Sequence, residues 1–204
     1  MKTPQILAAA LVAIALAACS RADARNARAT QPATAPMEAP AMPAPTIAQQ
    51  LSAFRQGLAQ PAGLADGYAS VDALEQAFTR ALAAGDTAAL RRMAMDRAEF
   101  AWFYYPANRR SLPPYELDPD LMWMQLEQGG ARGVRRSVRE YGHQPVRLLE
   151  HGCLGPNEAY GSVRVMNGCW IRHSENGRAT REMLHGGIIE HAGRYKLVSL
   201  ANKL

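Results

Sequence analysis

Apolar side chains recur three and four positions apart in several segments between residues 49 and 141, which is the spacing of helices that bury one face. The clearest segment is SVDALEQAFTRALAAGD, in which Ser70 is a suitable N-cap and Gly85 a suitable C-terminal stop. Asp86 can cap a second helix directly afterwards. A shorter helix over residues 49–58 also has apolar residues at helical spacing, so we expect it to dock on the same domain.

A third helical region is predicted to begin at Asp118 and Pro119, because proline is well tolerated in the first turn of a helix. Gly129 and Gly130 interrupt its apolar pattern. Since glycine is a poor helix former, we expect the helix to break at this pair and to resume afterwards. Residues 96–106 read DRAEFAWFYYP, and their periodicity fits either a helix or a strand.

After Gly142 the pattern changes to short β-rich runs that alternate with turn residues. Asn176-Gly177 and Ala192-Gly193 are each predicted to close a hairpin, and Gly186-Gly187 between them would let the sheet curl. Helices followed by antiparallel strands indicate an α+β domain over residues 49–204. Its N-terminal helices are predicted to pack on a curved antiparallel β-meander.

The Asn176-Gly177 turn also sets an expected register, in which Arg172 lies opposite Arg181. Two arginines in opposite positions repel each other unless an anion lies between them. The pair therefore marks either an anionic ligand site or two side chains that solvent separates.

One strand face is apolar enough to pack on the helices, and it carries Trp170, Met183, His185, Val198 and Leu200. His185 is the one titratable residue in this set. It is a candidate acid or base near neutral pH. The other interpretation is a core histidine whose hydrogen bonds are satisfied.

The start of the chain has a separate pattern, in which Lys2 precedes the uncharged run ILAAALVAIALAA. This pattern is typical of a signal peptide. The apolar run is too short for a membrane-spanning helix, which needs about 20 apolar residues. Leu16-Ala17-Ala18-Cys19 resembles the lipobox of bacterial lipoproteins. The resemblance implies cleavage of residues 1–18 and acylation of Cys19 by palmitate or similar chains. Because Ser20 stands where aspartate commonly causes inner-membrane retention, it also implies an outer-membrane location facing the periplasm.

Residues 19–48 contain five prolines and no aromatic residue. Such a segment buries too little apolar surface to offset the entropy of ordering. We expect a lipidated cysteine followed by a disordered Ala/Pro-rich tether, which rises about 3.1 Å per residue where it is extended. The formal net charge of +5 comes from scattered basic residues, which are typical of a solvated surface. The sequence has no aromatic-basic motif, and its predicted export signal would remove it from the cytoplasm. We therefore expect no nucleic-acid partner.

Once Cys19 is assigned to lipidation, Cys153 and Cys169 are the cysteines that remain. In an oxidising periplasm we expect them to form a disulfide. The alternative is a metal site, in which His151 and Cys153 share a strand face and His173 or His185 joins them. No zinc-ligand spacing supports that site, so we expect no metal and no cofactor.

The segments AFTRALAAGDTAALRRM and GGIIEHAGRYKLVSLAN resemble the paired first helices and the final hairpin of the NTF2-like, or cystatin-like, group. The resemblance implies a cone-shaped α+β fold and is compatible with a homodimer. Enzymes of the group often combine an acidic base with a tyrosine or aspartate that stabilises an oxyanion. The residues that could take those parts here are Tyr104, Tyr105, Asp96 and Glu99.

The NTF2-like group includes isomerases, cyclases, dehydratases and many proteins without enzymatic activity, so the fold alone does not assign a function. Our first hypothesis is a membrane-anchored envelope lipoprotein that serves as a non-enzymatic binding or accessory module for a small ligand or another envelope protein. The alternative is a small pocket enzyme of the isomerase or hydratase type that uses His185, Tyr104 or Tyr105.

Overall fold

The computed structural model describes residues 44–175 and 177–201. The predicted signal peptide, Cys19 and the predicted tether up to residue 43 lie outside these residues. Within them, helices come first and antiparallel strands second, which confirms the α+β class. None of the helices in this part of the chain is long and apolar enough to span a membrane.

The helical half is built from short helices and one long one. The described α-helices are α1 (Ile47–Phe54), α2 (Val71–Ala84), α3 (Thr87–Met93), α4 (Arg97–Glu99), α5 (Tyr105–Ala107) and α6 (Pro119–Tyr141). A π-helical turn, Phe100–Tyr104, joins α4 to α5, and a 3₁₀ turn, Arg109–Ser111, follows α5. The segment 96–106, whose periodicity fits two structures, is therefore helical from Arg97 onward, with Asp96 as its N-cap.

The predicted caps of α2 and α3 are confirmed. Ser70 Oγ accepts a hydrogen bond from the Ala73 N–H (3.0 Å), and Asp86 Oδ1 accepts one from the Ala89 N–H (2.9 Å). Gly85 ends α2 with a φ of 68°, a left-handed conformation in which glycine meets no steric penalty.

The short leading helix α1 docks on the domain, as its apolar spacing predicts. Phe54 is 2% exposed and meets Phe100 edge to face, with the ring centroids 5.4 Å apart. The Arg55 guanidinium donates to the carbonyl oxygen of Ala101 (2.8 Å). Both contacts fix α1 against the π-helical turn.

The strands are β1 (Val146–Cys153), β2 (Asn157–Tyr160), β3 (Val163–Met166), β4 (Cys169–Glu175), β5 (Arg178–Glu182), β6 (Ile188–His191) and β7 (Arg194–Leu197). They form two antiparallel sheets, in the orders β1-β4-β5 and β2-β3-β6-β7. The chain leaves the first sheet after β1, builds β2 and β3 in the second sheet, and then returns for β4 and β5. The strands are thus divided between two sheets.

Both predicted hairpins are present, since β4 pairs with β5 and β6 pairs with β7. Arg172 lies opposite Arg181, which confirms the register set by the first turn. Gly186 and Gly187 lie where the chain passes from the first sheet to the second, and their backbones bond to Ser199 and Val198 (both 2.8 Å). This pair of glycines extends the β6-β7 ladder.

The buried face of the first sheet differs from the predicted one. Its buried side chains in β4 are those of Cys169, Ile171 and His173. Trp170 lies on the opposite face, where the Arg181 guanidinium stacks 3.7 Å from the ring centroid, and Met183 is 40% exposed. The remaining members of the predicted face are buried, at His185, Val198 and Leu200. The prediction fails at Trp170 and Met183 because the chain changes sheets after β5.

In the part of the chain that the structure describes, the core consists of two apolar clusters on opposite sides of the β6-β7 hairpin. Ile188 and Leu197 belong to the cluster formed with α2, α3 and α6. Ile189 and Val198 belong to the cluster formed with α1 and the helical segment around Phe100. Alternation along two short strands therefore joins both halves of the core.

The predicted break in α6 at Gly129-Gly130 is wrong, because α6 runs without interruption from Pro119 to Tyr141. A Cβ on Gly130 would lie 3.2 Å from Ser199 Oγ, and one on Gly133 only 1.7 Å from the Leu200 carbonyl oxygen. The glycines let the helix approach the backbone that follows β7. This contact offsets their cost of about 1 kcal/mol each in a helix interior.

We expect Gly133→Ala to lower the free energy of unfolding by about 3 kcal/mol, although alanine is the better helix former. The added methyl group would force α6 away from Leu200. Urea unfolding followed by circular dichroism measures the change. Gly63→Ala is the control, since a Cβ there meets nothing within 4 Å; equal stability of the two variants would contradict the close-approach explanation.

Candidate functional site

The candidate acid or base His185 is buried against a carboxylate on α2. Its Nε2 lies 2.9 Å from Oε1 of Glu75, and its Nδ1 lies 3.1 Å from the carbonyl oxygen of Gly186. The two side chains are 0% and 1% exposed. Because both ring nitrogens face acceptors, both must carry protons to donate, so the geometry favours the imidazolium form.

Burial has the largest single effect on the pKa of His185, and it lowers that pKa because it disfavours the charged imidazolium. The charge of Glu75 and the hydrogen bonds to Glu75 and Gly186 act in the other direction, and the pKa of His185 is raised above its usual 6.5. Glu75 is not among the predicted site residues, although its position in the sequence gives a signal. Glu75 follows Val71 by four positions and precedes Phe78 by three, which places it on the apolar face of α2.

The two candidate tyrosines are also buried. Tyr104 is 9% exposed, and burial, followed by the charge of Glu158, raises its pKa to about 12. Tyr105 is 1% exposed, and its hydroxyl donates to the carbonyl oxygen of Leu117 (2.8 Å). Each hydroxyl is therefore held in surroundings that disfavour its ionisation.

The acidic candidates Asp96 and Glu99 hold the start of α4. Asp96 Oδ1 caps the helix by accepting from the Glu99 N–H (2.8 Å), and Glu99 Oε2 accepts from the Asp96 N–H (2.8 Å). Glu99 Oε2 also forms an ion pair with Lys196 Nζ at 2.8 Å, and Oε1 accepts from the Ala65 N–H at 2.6 Å. Glu99 is 0% exposed, so its carboxylate is committed to structural contacts.

A second buried histidine, His173, belongs to a polar cluster that the sequence pattern does not predict. Its Nε2 lies 3.4 Å from Glu182 Oε2, which also accepts a hydrogen bond from the Tyr141 hydroxyl. The rings of Tyr141 and His173 meet edge to face with centroids 5.0 Å apart. Burial, followed by the hydrogen bond to Glu182, raises the pKa of Tyr141. The cluster joins the C-terminal end of α6 to β4 and β5.

Arg172 and Arg181, the expected arginine pair, each interact with another group. Arg172 Nε lies 3.0 Å from Glu150 Oε2, and the Arg181 guanidinium stacks on Trp170. These contacts offset part of the repulsion between the two cations.

Cys153 and Cys169 form a disulfide, as expected. The Cys153 sulfur is therefore not the thiolate that the alternative metal site requires. His151 lies 3.5 Å from Asp72. His173 contacts Glu182 and His185 contacts Glu75, so the histidines do not meet at Cys153. Among residues 44–175 and 177–201, no three His, Cys, Asp or Glu side chains are arranged to hold a metal ion.

An open groove of about 320 Å³ lies between α6 and the segment that follows β7. We call it the α6 groove. Its larger apolar lining residues are Met95, Trp123, Leu126, Val134, Val198 and Leu200. The small residues Gly130 and Ala131 widen it, and the exposed side chains of Arg91 and Glu127 border it.

The α6 groove is lined by none of the catalytic candidates, which are His185, Tyr104, Tyr105, Asp96 and Glu99. The structure instead distributes them over separate buried contacts. The groove offers apolar surface and two charged groups of opposite sign, which is suited to holding a ligand.

The fold and these contacts define an α+β protein with an apolar surface groove. In comparisons with family models, curated protein sequences and solved structures, the chain matches none of them.

We expect Glu75→Gln to destabilise the protein by about 3 kcal/mol at about pH 6, because it leaves a buried histidine without its counter-charge. The raised pKa of His185 means that the stabilisation is complete below pH 6.5 and is lost as the pH rises through the folded-state pKa. The difference between wild type and variant should therefore shrink toward alkaline pH.

Urea unfolding at a series of pH values measures this difference. Glu127→Gln, which neutralises an exposed acid on α6, is the matched control and should change little at any pH. A difference for Glu75→Gln that stays constant from neutral to alkaline pH would contradict the role of the imidazolium.

Proposed function

We propose that the protein is an envelope lipoprotein, attached to the outer membrane through acylated Cys19 and facing the periplasm, whose folded domain binds a ligand or partner without catalysis. The lipobox resemblance of Leu16-Ala17-Ala18-Cys19 supports the anchor. The disulfide between Cys153 and Cys169 is in keeping with an oxidising compartment. The order of helices and antiparallel strands supports an NTF2-like relationship for the domain.

The observation that carries the binding proposal is the composition of the α6 groove. Its walls are mainly apolar, and its volume of about 320 Å³ lies within the roughly 300–1,000 Å³ of small-molecule sites. Arg91 and Glu127 at the border can orient a polar end of a ligand whose apolar part lies between Trp123 and Leu200.

The distribution of acid and base groups favours binding over the isomerase or hydratase alternative. A general acid or base must reach its substrate directly or through one water. His185 is enclosed with Glu75, and the Tyr105 hydroxyl donates to a backbone carbonyl. Neither group lines the groove.

The anchor is tested by Cys19→Ser and Ser20→Asp in the full-length chain, followed by labelling with radioactive palmitate and membrane fractionation. We expect Cys19→Ser to give an unlabelled, uncleaved precursor, because the acylated thiol is absent. Ser20→Asp should remain labelled but move to the inner-membrane fraction. Normal labelling of Cys19→Ser would overturn the anchor, and an unchanged location of Ser20→Asp would overturn the sorting.

The groove is tested by Ala131→Leu, which extends a side chain into it from α6 without reducing helix propensity. The probe is anilinonaphthalene sulfonate, which fluoresces in apolar sites, added to residues 20–204 produced without the anchor. We expect saturable binding by wild type and at least tenfold weaker binding by Ala131→Leu. Gln128→Leu adds the same side chain at an exposed position outside the groove and should bind as wild type does. Equal binding by both variants would show that the dye does not occupy the α6 groove and would contradict the groove as the binding site.

A further inference from the structure

β5 forms an edge of the first sheet that is left open. Within residues 44–175 and 177–201, β5 forms a strand ladder with β4 alone. The other sheet edges are occupied or irregular. β1 contacts α2 and has a bulge after Leu148, β2 contacts α5, and β7 is bridged by Tyr68 and Ala94.

The open edge has a repeating hydrogen-bonding pattern. In a hairpin closed by two residues, the pair that flanks the turn exchanges backbone hydrogen bonds, and such pairs then alternate along the ladder. That pair is Glu175 and Arg178. We therefore expect the backbone N–H and C=O groups of Ala179 and Arg181 to point away from β4, toward a strand that could be added.

The side chains of β5 complement a second copy of the same strand. When two copies run antiparallel with Thr180 on the two-fold axis, Arg178 of each copy lies opposite Glu182 of the other. Arg181 then lies opposite Ala179. Arg178 is exposed, and the Glu182 side chain is 22% exposed although one of its oxygens accepts from Tyr141.

The register centred on Arg181 is less favourable. With Arg181 on the axis, the two copies of Arg181 would lie directly opposite each other, and like charges in that position are destabilising. Charged edge strands commonly prevent indiscriminate pairing. Here the charges repel a copy centred on Arg181 and match a copy centred on Thr180, whereas a copy centred on Ala179 would form no ion pair.

We propose that the protein forms a symmetric homodimer through antiparallel pairing of β5 with β5 of a second copy, centred on Thr180, which joins the two first sheets into one continuous six-stranded sheet. The two copies exchange backbone hydrogen bonds at Ala179 and Arg181 and form two equivalent ion pairs between Arg178 and Glu182. This dimer involves neither the α6 groove nor the anchor, so it stands apart from the proposed function.

The register is tested by Thr180→Cys in the full-length protein, treated with a mild oxidant and examined on a non-reducing gel. A pair that exchanges no hydrogen bonds places its Cα atoms about 4.5 Å apart, within the range that a disulfide bridges. We expect most of the protein to become a covalent dimer, with the two copies joined at position 180. Ala179→Cys is the matched control, because its two copies would lie about 8 Å apart, beyond disulfide reach.

The charge match is tested by adding Arg178→Glu to the Thr180→Cys protein, which places two acids opposite each other. We expect the yield of covalent dimer to fall at least fivefold, whereas Arg147→Glu, an exposed arginine of β1, should leave it unchanged. The proposal is overturned if Thr180→Cys yields no dimer, if it joins a protein of different mass, if Ala179→Cys crosslinks equally well, or if Arg178→Glu has no effect.

Discussion

The fold depends on a buried negative charge, that of Glu99. Its carboxylate has no exposure to solvent and is held by Lys196 Nζ, by the N–H of Ala65 and by the N–H of Asp96. These donors come from β7, from the loop before α2 and from the start of α4, so three distant segments must meet before the charge is satisfied. An ionised carboxylate without such partners would be far too costly to bury. The requirement therefore couples the formation of the second sheet to the docking of the helices.

Glu75 and His185 form a comparable buried pair, and the His185 ring meets Phe78 of the apolar cluster formed with α2, α3 and α6. Each side of the β6-β7 hairpin thus includes one acid from a helix and one base from the chain around the hairpin. Such pairs add little net stability compared with apolar residues of the same volume, but leaving either partner alone is strongly destabilising. These buried acids and bases hold distant segments together, and none of them lines the α6 groove.

Features that depend on neighbouring residues could be predicted from the sequence, and features that depend on distant ones could not. Ser70, Asp86 and the two hairpin turns act within a few residues, and the structure confirms them. The glycines of α6 were misinterpreted because their explanation is the Leu200 backbone, far along the chain. The partners of His185 and His173 were missed for the same reason, since Glu75 and Tyr141 come from helices. The disulfide could be predicted because the chain has three cysteines, and only Cys153 and Cys169 remain to pair once Cys19 is assigned to lipidation.

The disulfide links the end of β1, where the chain leaves the first sheet, to the start of β4, where the chain returns to it. Cys153 and Cys169 are directly opposite each other in β1 and β4, and the loop that they close contains β2 and β3 of the second sheet. Closing a loop of about 15 residues stabilises a fold by roughly 3 kcal/mol in the chain-entropy model. That contribution is absent wherever thiols are kept reduced. The domain is therefore less stable where its cysteines are reduced than where they are oxidised, so its stability depends on the redox state of its surroundings.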